Sequence, residues 1–268
     1  MSNLKRFVIA TLFILFALTG CSKTTISPKT FIPAQEESVQ ESVSYDIENL
    51  TEDAKNTGVH IIDEPVEIDR PVDAGNIVYD GIDSLGRTRR VIGNITYNMV
   101  EESAGWRCKF DSDVDKKLSG WGDNSEVDVT YANGKHYHGY FWNRSHLIAD
   151  SLGGYNHVYN SDGSIDKKNS KTQVQNLITG TRFQNVGQND GNGGMAYFET
   201  RVTKFLKDNP NVTVWYSAEP IYKDNEIIPR GVLVKVKSSD GNLVMQGFVY
   251  NVMPGYTIDY NTGSFTKE

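Results

Sequence analysis

Thiols are scarce in this sequence. Cys21 and Cys108 are the only cysteines among 268 residues, so no disulfide framework and no paired-Cys zinc motif can be built. Long apolar runs are missing too. The run Phe7 to Leu18 spans only about 18 Å at about 1.5 Å per residue, short of a hydrocarbon core of about 30 Å. Positive excess is absent, with 27 Lys and Arg against 34 Asp and Glu and a net charge of −7. No internal repeat is visible, which excludes a solenoid.

The acidity is not evenly spread. Residues 22–69 hold 3 Lys and Arg against 11 Asp and Glu, whereas residues 70–268 hold 22 against 23. The chain from 70 onward is therefore nearly neutral, and a polyanionic partner is not excluded by its charge. A one-sided charge with low hydrophobicity predicts that 22–69 is a disordered acidic tether. At the start, Lys5 and Arg6 followed by the short apolar run read as a signal peptide over 1–21. Leu18-Thr19-Gly20-Cys21 resembles a bacterial lipobox, which predicts lipidation at Cys21, export, and membrane anchoring on the extracellular face. With Cys21 committed to lipid, Cys108 reads as a buried small hydrophobe.

Residues 70–268 are long enough for one domain with a real core. Asp83 to Arg87 is turn-like and opens it. Val127 to Tyr131 alternates apolar and polar, Asn133-Gly134 supplies a hairpin turn, and a second strand is expected from His136 to Trp142. Gly153-Gly154 ends the apolar stretch Leu147 to Leu152. Thr172 to Val186 reads as a helix. Met195 to Leu206 is the clearest helix, with Met195, Phe198, Val202, Phe205 and Leu206 on one stripe and Asn209-Pro210 as its stop. Strands are expected at 212–217, 221–222, 231–237 and 243–249. The class is α+β. Trp106, Trp121, Trp142 and Trp215 read as core residues.

Three groups of residues carry chemistry. Arg144-Ser145-His146 follows a strand, where a neutral imidazole can take a proton from water and a guanidinium can clamp a phosphate. Asn176 and Asn185 lie nine apart in the expected helix, on roughly opposite faces, so a straight helix would not aim both at one metal. One is then a metal ligand, and the other orients the neighbouring loop or base. Glu199 flanks the apolar stripe of the next helix and either pairs with Arg201 or Lys204 or faces a hydrated cation. His136 and His138 alternate on one strand and supply at most half of a zinc site with Cys108.

Taken together, the run Asn143-Arg-Ser-His-Leu-Ile-Ala-Asp-Ser-Leu-Gly-Gly154, the run Asn176-Leu-Ile-Thr-Gly-Thr-Arg-Phe-Gln-Asn185, and Glu199 resemble the DNA/RNA non-specific endonuclease family. The nearest likeness is to DNA-entry nucleases and secreted DNases of Gram-positive bacteria. The resemblance implies a ββα-metal (His-Me finger) core, a hairpin plus helix packed on a central antiparallel sheet. It implies His146 as general base, Asn185 as the direct ligand of Mg²⁺ (Mn²⁺ being the alternative ion), Arg144 on the phosphate, Asn176 as support, and Glu199 on the cation's waters. Products with 5′-phosphate and 3′-hydroxyl ends follow, from DNA and with RNA as a second substrate. The sequence departs from the family's Asp-Arg-Gly-His at Asn143 and Ser145. It also has Thr203 where an Arg often stands, which leaves Arg182, Arg201 or Lys204 to supply that charge to substrate. The rival readings are a surface lipoprotein that holds nucleic acid without cutting it and a hydrolase of other phosphodiester polymers.

Overall fold

The computed structural model describes residues 50–268. The expected signal peptide, the lipidation site Cys21 and the tether up to residue 49 lie outside the described residues. Among the described residues no helix is long and apolar enough to cross a membrane.

In chain order the described elements are α1 (Glu52–Thr57), β1 (Val59–Ile61), β2 (Ile77–Tyr79), β3 (Val91–Ile95), α2 (Tyr97–Ser103), β4 (Lys109–Phe110), α3 (Val114–Lys117), β5 (Glu126–Thr130), β6 (His136–Tyr140) and β7 (Trp142–His146). A 3-10 turn (Asp150–Leu152), β8 (Lys171–Thr172) and a second 3-10 turn (Val174–Asn176) lead to β9 (Leu177–Thr181), α4 (Arg182–Val186) and α5 (Ala196–Asp208). The chain closes with β10 (Val214–Ile221), β11 (Gly231–Ser238), β12 (Val244–Tyr250), β13 (Tyr256–Ile258) and β14 (Phe265–Lys267). This is the expected α+β class.

The central sheet is antiparallel, in the order β1-β12-β11-β10-β3-β2. Its long strands β10, β11 and β12 are almost wholly buried because both faces are covered. On one face, Phe198, Val202 and Leu206 of α5 join Leu147, Ile148 and Leu152 against Val214, Tyr216, Val232 and Val234. On the other, Ala54 of α1 meets Leu233, Phe248 and Tyr250. The spacing of the α5 residues at i, i+4 and i+8 makes one helical stripe, as its sequence predicts.

A separate aromatic cluster supports β7. Phe141 stacks on Phe265 of β14 with ring centroids 3.7 Å apart, and Trp142 donates its indole N–H to the Gly263 carbonyl at 3.0 Å. The β5–β6 hairpin forms as expected, with Gly134 at φ 78° in the turn. Its second strand ends at Tyr140, however, and β7 starts after the buried corner residue Phe141.

Two expectations are corrected. The acidic stretch is not tether to residue 69: Ala54 is fully buried and β1 pairs with β12, Val59 opposite Val249. Averaged composition hides a three-residue strand that needs only an edge to pair with. The helix expected over 172–186 is also replaced by β8, a 3-10 turn, β9 and the short α4. Leu177 to Thr181 is buried at every position and pairs antiparallel with β7, from Trp142↔Thr181 to His146↔Leu177. A short apolar run fits a buried strand as well as a helix, and only a partner strand decides. Gly180 permits that pairing, since a Cβ there would lie 2.7 Å from the Ser145 Cβ. The β7, β9 and α4 succession is the ββα arrangement, but the excursion 147–176 replaces a tight hairpin turn.

Candidate active site

The β7–β9 pair, α4 and α5 wall a cleft of about 1300 Å³. His146, Arg144, Asn185, Glu199, Asp150 and Phe110 line its working part. The topology brings them together: His146 ends β7, β9 runs back beside it, and α4 starts at once because the Thr181 hydroxyl accepts the Gln184 N–H at 2.9 Å.

The His146 ring packs on Phe110 with centroids 5.6 Å apart, and its side chain is 18 % exposed. Its Nε2 is buried. The Asp150 Oδ1 comes within 3.1 Å of that nitrogen, but out of line with a shared hydrogen bond. The His146 side chain itself lines the cleft.

Arg144 shares the strand face of His146. Its guanidinium makes a bidentate pair with Asp115 and lies 5.2 Å over Phe110 and 5.0 Å over Trp121. The Ser145 side chain, on the opposite face, donates to Gln184 Oε1 and lies 3.4 Å from Asn185 Oδ1. A serine at this motif position thus ties β7 to α4.

Asn176 does not reach the cleft. It is fully buried; its Oδ1 accepts from Ile148 N–H at 3.0 Å, and its Nδ2 donates to the Ile148 and Gly154 carbonyls at 2.8 and 2.6 Å. Every bond holds the loop that follows His146, so of the two roles open to this residue the structure places it in loop orientation.

Asn185 and Glu199 both open onto the cleft. The Glu199 side chain has no hydrogen-bond or ion-pair partner among the described residues. Burial first, and then the Asp150 carboxylate, push its carboxyl up to about 8. Of the two alternatives for this residue, the pairing with Arg201 or Lys204 does not form. Arg201 lies 3.5 Å over the Tyr197 ring and donates to the Tyr197 carbonyl at 2.8 Å, and Lys204 pairs with Asp208 at 2.6 Å. Neither lines the cleft. The reason is helical: at 100° per residue, positions two and five beyond Glu199 point elsewhere, while Thr203 and Lys207 share its side. Lys207 does line the cleft, as does Arg107. Arg182 lines it too, with its guanidinium on Asn189 Oδ1 at 2.8 Å.

Sequence reasoning missed Asp150, Phe110, Trp121 and Lys207. An i+4 carboxylate after His146 and an i+8 lysine after Glu199 were available signals, whereas the two aromatics arrive from distant segments. Trp106 and Trp121 line the cleft, and only Trp142 is fully buried core. His136 and His138 pair across the hairpin, with Asp128 at 3.3 and 2.9 Å. Among the described residues no three or more His, Cys, Asp and Glu side chains are arranged to hold a metal. A zinc site with Cys108 is therefore not assembled.

The donors that do face the cleft fit a hard cation. Asn185 and Glu199 both line the cleft, and an amide and an unpartnered carboxylate are donor types that suit an ion that keeps much of its water and prefers oxygen. A half-buried carboxylate whose ionisation no cation among the described residues supports is the feature such an ion would relieve.

Comparison with known proteins agrees with this arrangement. Residues 68–267 match the profile of DNA/RNA non-specific endonucleases. A deoxyribonuclease of Streptococcus dysgalactiae subsp. equisimilis is 32 % identical over 227 residues, covering 75 % of this chain and 63 % of that protein. The chain thus spans less than two thirds of that relative's length. The solved Sda1 nuclease, which has a bound zinc ion, is 32 % identical, with a TM-score of 0.70 over 82 % of this chain and all of that one. NucA of Streptococcus agalactiae, solved with magnesium bound, shares the fold at 23 % identity, with a TM-score of 0.54 over 76 % of this chain and 83 % of that one. With the profile spanning most of the chain, this protein belongs to the DNA/RNA non-specific endonuclease family.

Proposed function

We propose that this protein is an endonuclease that hydrolyses phosphodiester bonds of DNA, and of RNA, with little sequence preference. One observation supports this most: the β7–β9–α4 unit brings His146, with one buried ring nitrogen, and Asn185 to the cleft that the unpartnered carboxylate of Glu199 also lines.

In this reading His146 Nδ1 takes a proton from a water as that water's oxygen attacks phosphorus in line. The new P–O bond forms as the bond to the 3′-oxygen breaks, and that departing oxygen takes a proton from solvent water, leaving 5′-phosphate and 3′-hydroxyl ends. Phe110 confines the ring to one plane. Arg144 must exchange Asp115 for a phosphate oxygen, and the aromatic platform beneath it keeps the guanidinium at the cleft during the exchange. Asn176 keeps the loop after His146 in place. Asn185 would hold a divalent cation, Mg²⁺ in our reading with Mn²⁺ as the alternative, and Glu199 would hold its waters. The bound cation supplies positive charge to the phosphoryl oxygens as their charge builds. Arg182, Arg107 and Lys207 extend the cationic lining along the strand. Such contacts are to backbone and carry no base information.

The lipobox-like Leu18 to Cys21 and the signal-like start support export and anchoring through a lipid on Cys21. The active domain then stands outside the cell on the chain that precedes residue 50.

The test is cleavage of plasmid, single-stranded DNA and RNA by the purified protein, with Mg²⁺ or with EDTA. We expect Mg²⁺-dependent cutting that weakens as salt rises and falls by several orders of magnitude in His146→Ala, with folding retained. Tight binding of nucleic acid with no cleavage in any condition would sink the nuclease reading in favour of a binding lipoprotein.

A further inference from the structure

The excursion between β7 and β9 returns a carboxylate to the strand it left. Asp150 opens the 3-10 turn four residues after His146, and its Oδ1 lies 3.1 Å from His146 Nε2. This carboxylate is held from both sides. Its Oδ2 accepts the Cys108 backbone N–H at 3.1 Å, and its Oδ1 accepts the Thr172 hydroxyl at 3.1 Å. Cys108 directly precedes β4 and Thr172 belongs to β8, and these two short strands pair in parallel, Phe110 opposite Thr172. Phe110, on the same ladder, is the ring against which His146 packs. One small ladder therefore sets both the plane of the imidazole and the position of the carboxylate behind it.

We propose that Asp150 is the positioning residue of His146. It accepts the Nε2–H, fixes the tautomer in which Nδ1 is unprotonated towards the cleft, and stabilises the imidazolium formed when Nδ1 takes the proton from water. The proposal rests on the reading of His146 as the base. The chemistry is the general one by which a buried carboxylate orients a catalytic imidazole. In this proposal Nε2–H and Oδ1 come into line as substrate enters, a tightening common in catalytic sites. The competing role for Asp150 is to hold a water of the bound cation beside Glu199.

A double-variant cycle separates the two. Nicking of supercoiled plasmid, which detects residual activity, is measured for wild type, Asp150→Asn, His146→Ala and the double variant, each across a Mg²⁺ titration. We expect Asp150→Asn to lower kcat by about 10²-fold with KM and the half-saturating Mg²⁺ concentration unchanged. The same substitution should change nothing further in the His146→Ala background, because a residue that acts through another has no effect once that other is gone. In ¹⁵N-histidine spectra, the His146 resonances (identified by their loss in His146→Ala) should show the Nε2–H tautomer, and Asp150→Asn should abolish that preference. Asn retains an oxygen for Thr172, and thermal unfolding checks that the fold survives. Thr172→Val, which releases one anchor and leaves Asp150 in place, should give a smaller loss of kcat in the same direction. Losses that multiply in the double variant, or a raised Mg²⁺ requirement with the tautomer intact, would overturn the proposal. Wild-type cleavage by His146→Ala would instead remove the base reading beneath it, a separate result.

Discussion

Replacing Asn176 with alanine separates a scaffold residue from a chemical one. Its side chain makes three hydrogen bonds, to Ile148 N–H, the Ile148 carbonyl and the Gly154 carbonyl, and has no exposed surface. Alanine leaves one buried donor and two buried carbonyls without these partners. At about 1 to 1.5 kcal/mol for each bond, the loss comes to roughly 3–5 kcal/mol. For a domain of this size each kcal/mol moves Tm by about 2–4 °C, so the fall should be roughly 6–20 °C. The variant should still bind nucleic acid and retain measurable cleavage well below its own Tm, since Asn176 does not line the cleft. Differential scanning calorimetry and plasmid cleavage at low temperature provide the two readouts. A variant that melts within about 1 kcal/mol of wild type but has lost all cleavage would refute this reasoning and place Asn176 in the chemistry.

Two other perturbations test the electrostatics. Burial and the Asp150 carboxylate raise the Glu199 carboxyl to about 8, so the folded state holds a proton that the unfolded chain has released above the ordinary carboxylate range. In EDTA, the stabilisation due to protonated Glu199 should be present at low pH and lost as pH rises towards 8. Glu199→Gln should flatten that slope, and Mg²⁺ should stabilise wild type most at the alkaline end. Identical Tm-against-pH curves for the two proteins in EDTA would contradict the assignment. Asp115 competes with phosphate for Arg144, but the pair is 34 % and 42 % exposed, so it is worth at most about 1 kcal/mol. Asp115→Asn should lower KM for DNA by a few-fold with kcat unchanged; a raised KM would show that Asp115 aims Arg144 instead of restraining it.

Much of the site was legible in the amino-acid order. Arg144, His146, Asn185 and Glu199 all reach one cleft, and the α5 stripe and the long C-terminal strands form where periodicity puts them. The misreadings share one cause. Val59 to Ile61 and Leu177 to Thr181 carry little local preference, and each becomes a strand because another strand lies alongside. Arg201 and Lys204 were candidates by nearness in sequence, yet helical rotation turns them away and brings Lys207 round. Asn176 looked like a catalytic asparagine, but the backbone it serves is far from it in the chain.

The sequence by itself determined the family and chemical class, because the residue types able to move a proton, clamp a phosphate and hold a hydrated cation recur at characteristic spacings. It also determined where the apolar faces lie, since periodicity is a local property. Only the tertiary structure decided which polar side chains are spent on the scaffold and which remain free in the cleft. That division rests on contacts between segments such as 108–110, 146–154 and 171–176, which pack together only once backbone pairing has closed the long excursion between β7 and β9.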